Sequence, residues 1–158
     1  MRLYHGSLEK VVVPVLNKSK KGNDFGKGFY LTSSFEQADK WSKRNMKVKH
    51  KEKSYISIFE IFDFNDLKIL RFESPNDEWL KFIISNRKCE KLDNNFDLII
   101  GPVANDQVYN TIALLEGELI DANKAIELLK TQKLFDQYLF CSEKSLSKLK
   151  FVSCIEVT

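Results

Sequence analysis

The sequence is poor in the residues that build metal sites and disulfide frameworks. Its 158 residues include three cysteines, Cys89, Cys141 and Cys154, and two histidines, His5 and His50. The cysteines are odd in number and have no Cys-x-x-Cys spacing, so neither a disulfide framework nor a zinc cage is expected. Two histidines are too few for a histidine-rich metal site. We therefore expect no metal, and any histidine chemistry must use one of these two side chains.

Long apolar runs and low-complexity tracts are also missing. No segment approaches the roughly 20 apolar residues of a membrane helix, and the N-terminal ten residues lack the apolar core of a secretory signal. Three prolines and six glycines exclude a fibrous or linker-like chain, and 43% hydrophobic with 30% charged residues is a globular composition. These features predict one soluble, cytoplasmic domain over residues 1–158, with no membrane partner.

Charge is spread unevenly along the chain. The net charge is +3, but residues 1–60 hold 13 Lys/Arg against 6 Asp/Glu, and residues 61–158 hold 12 against 16. The segment Lys40–Lys53 contains seven basic residues and one acid, Glu52. Such a run is usually a solvated helix face, but it could also bind phosphate groups of a cofactor or a nucleic acid.

The order of apolar runs and helix signals predicts an α+β fold, because short strands do not alternate regularly with helices. Strands are predicted at Leu3–His5, Gly28–Leu31, Tyr55–Phe64, Leu67–Phe72, Phe96–Val103, Gln137–Cys141 and Phe151–Val157. Helices are predicted after caps at Ser33 or Ser34, Ser74, Asn105 and Asp121. Lys18–Lys27 is polar and contains glycine, which indicates a loop, and Gly101-Pro102 is expected to break its strand.

Several conspicuous side chains have a predicted structural role. Trp41 and Trp79 fit packing of a helix on a sheet better than base stacking. Asp24 could order the following glycine loop through a turn hydrogen bond. Arg87 lies near a predicted helix end, where it could hold a phosphate or cap the helix as a cation.

Three short segments combine polar or aromatic residues with glycine or a strand end. Tyr4-His5-Gly6-Ser7 places an imidazole beside a bare backbone that a ligand can approach. In Asp24–Thr32, Gly-x-Gly opens a strand instead of joining a strand to a helix, which disfavours a doubly wound dinucleotide fold. In Phe135–Cys141, a polar residue opens a strand. Each segment alone is equally typical of a turn or a core strand.

Together these segments resemble the motifs of the ADP-ribosyltransferases, most closely the diphtheria-toxin and poly(ADP-ribose) polymerase branch. Asp136–Phe140 followed by Leu146–Phe151 is similar in order and spacing to the last motif of that branch. Nearly the whole chain is also similar to a small bacterial family of unknown function assigned to this superfamily. The landmarks of that similarity are Tyr4–Ser7, Asp24–Thr32, Gln37–Trp41, Asn86-Arg87 and Asp97–Ala104.

The resemblance implies a split β-structure with flanking helices that binds bent NAD⁺ in its cleft. It implies catalytic roles for His5, Tyr30 and Gln137. His5 would hydrogen-bond the adenosine ribose, the Gly6 backbone would pair with the nicotinamide carboxamide, and Tyr30 would stack on the nicotinamide ring. The other implied cofactor-binding residues are Ser7, Lys27, Gly28 and Arg87.

The third catalytic position departs from the superfamily, which usually has glutamate where this chain has Gln137. Glutamine can hydrogen-bond the ribose but supplies neither negative charge nor a base. Three interpretations follow: the acceptor brings its own nucleophile, a nearby acid substitutes, or the domain binds NAD⁺ without turning it over. The candidate substitute acids are Asp136, Glu143 and Asp106. Ala38 roughly matches a nicotinamide-contacting serine of the polymerase branch, which implies weaker carboxamide recognition.

The function implied by the resemblance is mono-ADP-ribosyl transfer from NAD⁺ to a macromolecule, either protein or nucleic acid. Enzymes of this class often act as the toxin of a toxin–antitoxin or phage-defence pair, which implies a cognate antitoxin as partner. Gln137 favours an alternative, a non-catalytic NAD⁺ or ADP-ribose binding module that acts through protein contacts. A nucleic-acid-binding module without a nucleotide cofactor is a third hypothesis, favoured only by Lys40–Lys53.

Overall fold

A computed structural model of the chain describes residues 1–16, 23–88 and 95–158. Residues 18–22 of the predicted loop, and Cys89, lie outside these ranges. The strands are β1 (Arg2–Ser7), β2 (Phe29–Leu31), β3 (Ser54–Ile61), β4 (Ile69–Arg71), β5 (Leu98–Pro102), β6 (Asp136–Phe140) and β7 (Leu149–Val157). The helices are α1 (Phe35–Val48), α2 (Asp77–Arg87), α3 (Asp106–Glu116), α4 (Ala122–Lys130) and α5 (Glu143–Leu146). This mixture of helices and strands confirms the α+β prediction.

The strands form two sheets, of order β1-β3-β7 and β2-β6-β5-β4. All neighbours are antiparallel except β4 and β5, which are parallel. Because side chains alternate between the faces of a strand, the second sheet contributes to two apolar cores. An inter-sheet core joins it to the first sheet through residues that include Leu3, Phe29, Phe59, Leu98, Tyr138 and Phe140. A helix-side core joins its other face to α2, α3 and α4 through Trp79, Ile83, Ile99, Val108, Leu129 and Leu139.

Local capping chemistry sets the helix starts. Ser34 caps α1, since its hydroxyl accepts the main-chain N–H of Gln37 at 3.2 Å, and Asn105 and Asp121 cap α3 and α4 as predicted. The prediction that Ser74 caps α2 is wrong. Asn76 is the cap, because its side-chain oxygen accepts the main-chain N–H of Trp79 at 2.9 Å, three residues further on.

The predicted break at Gly101-Pro102 is also wrong, because β5 continues through both residues. Gly101 pairs with Gln137, and Pro102 pairs with Asp136 at the strand end, where a missing N–H is tolerated. A Cβ at position 101 would lie 3.0 Å from the ring of Phe25, so glycine here makes room for that aromatic side chain. β1 also extends past His5, where the predicted strand ended, and includes Gly6 and Ser7.

The two tryptophans have opposite environments. Trp79 is fully buried in the helix-side core, as predicted, but 51% of Trp41 is exposed. The buried positions of α1 are Ala38 and Ser42, and helical spacing leaves Trp41 at the border of that face. The prediction that Trp41 packs a helix on a sheet is therefore wrong. No helix in the described part of the chain is both long and apolar enough to cross a bilayer.

Candidate functional site

The two sheets meet at one pair of residues near the N-terminus and then separate. Tyr4 and Thr32 exchange two main-chain hydrogen bonds of 2.8 and 3.0 Å between β1 and the end of β2. Continued antiparallel pairing would place Gly6 opposite Tyr30 two residues further on. There the carbonyl oxygen of Tyr30 instead contacts the imidazole Nδ1 of His5, at 2.7 Å. The side chain of His5 thus takes the position of a ladder hydrogen bond.

Beyond Tyr4 and Thr32 the two strands no longer pair. We call the interval between Gly6 of β1 and Tyr30 of β2 the gap, and the backbone of Gly6 faces it. Groups two residues apart on a strand point to the same edge, so the N–H and C=O of Gly6 point toward β2, as those of Tyr4 do, and not toward β3. A side chain at position 6 would collide with the carbonyl oxygen of Ala38 on α1. Glycine is therefore required for α1 to pack against this end of β1.

The hydrogen bond to Tyr30 also determines the tautomer of His5. A carbonyl oxygen can only accept, so Nδ1 carries the proton and Nε2 of the neutral ring is an acceptor. The ring lies against Phe29, with centroids 4.5 Å apart. Burial lowers the pKa of His5 from its ordinary value, and the bond to the Tyr30 carbonyl offsets part of that shift. The resulting group is a neutral imidazole with one acceptor nitrogen.

Tyr30 and Gln137 lie on the same face of the second sheet. Tyr30 pairs with Leu139 across β2 and β6, and Gln137 lies two residues from Leu139 on the same strand, so the three side chains share the helix-side face. Gln137 is 8% exposed, and its amide contacts the carbonyl oxygen of Pro102 at 3.5 Å. His5 is on the other side of β2, in the inter-sheet layer, and reaches Tyr30 through its main chain.

The hydroxyl of Tyr30 anchors the glycine loop between Asn23 and Gly28. It donates to the carbonyl oxygen of Gly26 at 2.6 Å and lies 3.3 Å from the main-chain nitrogen of Phe25. Burial is the main reason why the pKa of Tyr30 is raised. The half-buried ring is therefore a neutral phenol with a fixed orientation.

A polar network of half-buried residues, with Arg87 exposed at its edge, supports this loop from the helices. The carboxylate of Asp24 accepts from the hydroxyl of Tyr109, at 3.1 and 3.2 Å, and Arg87 lies over the Tyr109 ring, 4.2 Å from its centroid. The Asn86 amide donates to the Asp24 carbonyl at 3.1 Å. The turn bond predicted for Asp24 is thus replaced by a bond to a helix 85 residues away. Sequence reasoning missed Tyr109, whose only signal was its aromatic position on a predicted helix.

Burial and charge together set the pKa values of Asp24 and Tyr109. Burial raises the pKa of Asp24, while the Tyr109 hydrogen bond and the Arg87 guanidinium lower it. Burial together with the Asp24 carboxylate raises the pKa of Tyr109 to about 12. Arg87 therefore faces the loop as a counter-charge to Asp24, in addition to lying at the end of α2.

The three candidate substitute acids lie in different places. Asp136 neighbours Gln137 but points to the opposite face, where it accepts from Thr32 and from the amide and hydroxyl of Ser33, at 2.5–3.2 Å. Asp106 begins α3, is exposed, and pairs with Arg44 at 3.3 Å. Glu143 is exposed beyond the far end of β6. Of the three, only Asp136 is hydrogen-bonded to the junction of β2 and α1.

The remaining predicted ligand contacts are distributed around this junction. The Ser7 hydroxyl donates to the carbonyl oxygen of Glu9 at 2.5 Å. Lys27 is exposed in the glycine loop, and Gly28 has a φ of +155°, with no room for a Cβ beside Phe140. Across residues 1–16, 23–88 and 95–158, no three His, Cys, Asp or Glu side chains form a group that could hold a metal ion.

By its fold the protein belongs to the α+β class. Its two sheets are flanked by helices and separate at His5 and Tyr30. The chain belongs to the family described as "Protein of unknown function (DUF3990)", whose sequence profile matches residues 1–151. None of the curated proteins matches the chain.

Proposed function

We propose that this protein is an NAD⁺-dependent mono-ADP-ribosyltransferase with an ADP-ribosyltransferase-like split β-structure. The observation that carries the proposal is the separation of β1 from β2, where His5 binds the Tyr30 carbonyl and the Gly6 backbone faces the gap. His5 and Tyr30 are the first two catalytic positions implied by the resemblance, and they are in contact although 25 positions separate them in the sequence.

The groups in this gap suit the two ends of a bound NAD⁺. The N–H and C=O of Gly6 match the complementary acceptor and donor of a carboxamide. Nε2 of His5 would accept from a ribose hydroxyl, because Nδ1 is committed to Tyr30. The Tyr30 ring, held by its hydroxyl, would offer a face to the cationic pyridinium without losing freedom on binding.

The reaction breaks the bond between C1′ of the nicotinamide ribose and the pyridinium nitrogen. The bonding pair leaves with nicotinamide, and positive charge develops on the ribose. A lone pair of the acceptor then bonds to C1′, and the acceptor loses a proton. Gln137 can hold a ribose hydroxyl through its amide but cannot remove that proton. The proton must therefore pass to solvent or to a base other than Gln137.

The burial of Gln137 favours a second candidate, an NAD⁺ or ADP-ribose binding module without turnover. Its amide contacts the Pro102 carbonyl, and only 8% of the residue is exposed. A side chain held in this way fixes the end of β6 and stays away from a ligand. In this candidate His5, Gly6 and Tyr30 bind the nucleotide, and the function is exerted through protein contacts.

Nicotinamide release separates the two candidates. Purified protein is incubated with NAD⁺, with and without cell lysate, and nicotinamide is quantified by chromatography. His5→Asn is matched with His50→Asn, and Tyr30→Ala with Tyr55→Ala, with thermal unfolding to verify folding. Release that His5→Asn and Tyr30→Ala abolish and the matched variants retain supports the transferase, and dependence on lysate leads to the acceptor.

The other outcomes are equally informative. NAD⁺ binding by calorimetry without nicotinamide release supports the binding module. Neither binding nor release contradicts both candidates. The toxin role and the antitoxin partner remain predictions from the resemblance, and co-purification of the chain with its genomic neighbour tests them.

A further inference from the structure

The outer face of α1 carries a row of cations. Four basic residues recur at helical spacing on this face, next to the exposed side chain of Val48. These residues, the basic face, are Lys40, Lys43, Arg44 and Lys47. They lie opposite the buried positions Ala38 and Ser42, so the whole row is directed away from the first sheet.

An aromatic ring borders the basic face. Trp41 is 51% exposed and Val48 is 65% exposed. Trp41, Arg44 and Val48 are three and four residues apart, which places them on one flank of the helix. A half-exposed indole beside a guanidinium is the combination that stacks unpaired bases while cations follow the phosphates.

The acids near this face do not prevent anion binding. They form exposed ion pairs: Lys40 with Glu36 at 2.6 Å, Lys43 with Asp39 at 2.8 Å, and Arg44 with Asp106 at 3.3 Å. Exposed pairs of this kind contribute little to stability, so a phosphate can replace the acid. The basic face has four cations against these three acids, and Lys49, Lys51 and Lys53 extend the positive segment from the end of α1 toward β3.

The basic face lies next to the candidate site. The Lys40 ammonium is 5.5 Å from the centroid of the Phe135 ring, two residues before Gln137. Arg44 binds Asp106, which begins α3 shortly after β5. A strand on this face would therefore run past the end of β6 that carries Gln137.

We propose that the basic face and Trp41 dock single-stranded nucleic acid. The cations contact its phosphates and Trp41 stacks on one of its bases. An acidic protein would match the cations but would not require the exposed indole. Resting on the proposed function, this surface also presents the strand as acceptor to the site beside Gln137.

Fluorescence anisotropy with labelled oligonucleotides of about 12 nucleotides tests the docking surface directly. The probes are single-stranded RNA, single-stranded DNA and duplex DNA of the same mixed sequence, at about 50 and 200 mM salt. We expect a single strand to bind more tightly than the duplex, and the tighter of RNA and DNA identifies the source. Trp41→Ala should weaken binding roughly fivefold to a hundredfold, the range for losing one stacked base.

Matched variants distinguish this surface from general electrostatics. Lys43→Gln and Lys81→Gln each remove an exposed lysine that pairs with an aspartate four residues earlier. Lys43→Gln should weaken binding and lower the salt slope by about 0.7, while Lys81→Gln should not. Phe62, which is 74% exposed, gives the aromatic control Phe62→Ala. Circular dichroism verifies that all variants fold.

The proposal is overturned if no oligonucleotide binds at low salt, if the duplex binds more tightly, or if Lys43→Gln and Lys81→Gln behave alike. The assay contains no NAD⁺, so it is independent of the proposed function. Strand binding without nicotinamide release contradicts the transferase alone. Release without strand binding contradicts the docking surface alone.

Discussion

The imidazole Nδ1 of His5 lies 2.7 Å from the carbonyl oxygen of Tyr30. This contact replaces the main-chain bond that Gly6 would make if β1 and β2 continued as one sheet. One side chain thus ends the pairing of the two sheets and turns a polar backbone edge toward a gap. The proposed NAD⁺ site depends on this relationship, so the protonation state of His5 should affect both folding and binding.

The first prediction concerns the pH dependence of stability. Because burial lowers the pKa of His5 in the folded protein, the unfolded chain takes up this proton first as pH falls below about 6.5. Stability should therefore decrease from pH 7 toward pH 5.5, with a slope of at most about 1.4 kcal/mol per pH unit for one proton. Urea unfolding across this range measures the slope.

His5→Asn and His50→Asn form the matched pair for this experiment. His5→Asn should remove the slope, whereas His50→Asn, at an exposed position after α1, should retain it. A wild-type slope that persists in His5→Asn would show that another group is responsible.

The second prediction concerns the network beneath the glycine loop. Asp24→Asn keeps an acceptor for Tyr109 but removes the negative charge that helps to raise the pKa of Tyr109 to about 12. The Tyr109 pKa should therefore fall, as ultraviolet titration can measure, with Tyr109→Phe identifying the transition.

The same substitution should change the pH dependence of stability. Burial raises the Asp24 pKa, so native Asp24 makes the protein less stable as pH rises through that pKa. Asp24→Asn should lose this dependence, and an unchanged Tyr109 titration would contradict the network.

The third prediction concerns Gln137. In Gln137→Glu, a carboxylate replaces the amide that faces the Pro102 carbonyl, and two acceptors would then oppose each other. We expect a loss of roughly 1–3 kcal/mol at pH 7, with smaller losses at acid pH, where protonated glutamate can donate.

Gln137→Met is the uncharged control for that substitution, and its loss should not vary with pH. Per folded molecule, Gln137→Glu should release more nicotinamide than the wild type, because negative charge stabilises the developing ribose cation. Equal pH profiles for the two variants would show that position 137 is solvated.

The fourth prediction compares two glycines. Gly28 has a φ of +155°, and a Cβ there would overlap the carbonyl oxygen of Phe140. Gly28→Ala should cost at least about 2 kcal/mol. In Gly117→Ala, the new Cβ lies 3.2 Å from the Ala113 carbonyl at an ordinary φ of −79°, so the cost should be much smaller. Chemical denaturation of both variants gives the difference, and equal losses would contradict the described loop.

The predictions that succeeded from the sequence depend on short-range chemistry. Asn105 caps α3 as expected, since a capping side chain bonds to a main-chain N–H three residues away. The Ser74 prediction failed because a second capping residue, Asn76, lies two positions further on, and its side chain is the one that accepts the Trp79 N–H. The Gly101-Pro102 error has a different origin. These two residues continue the strand because they pair with Gln137 and Asp136 of β6, and the glycine makes room for the ring of Phe25. All three partners are distant in the sequence.

The candidate site also depends on contacts between residues that are far apart in the sequence, which local patterns do not predict. Motif resemblance selected His5 and Tyr30, and the structure brings them together, but no local pattern indicates that a side chain contacts a carbonyl. The bond between Asp24 and Tyr109 spans 85 residues, so helical periodicity could identify Tyr109 only as an aromatic residue. Helical spacing places Trp41 at the border of the buried face of α1, so spacing alone does not determine whether the indole is covered.

The most direct test of the NAD⁺ site is a ¹H–¹⁵N NMR titration of the labelled chain with NAD⁺. We expect the Gly6 amide to shift most, because its N–H faces the gap, and Tyr30 and Thr32 to shift with it. His5→Asn should weaken these shifts, whereas His50→Asn should leave them unchanged. A Gly6 amide that does not respond to NAD⁺, or shifts confined to residues of α4, would contradict an NAD⁺ site at Gly6 and His5.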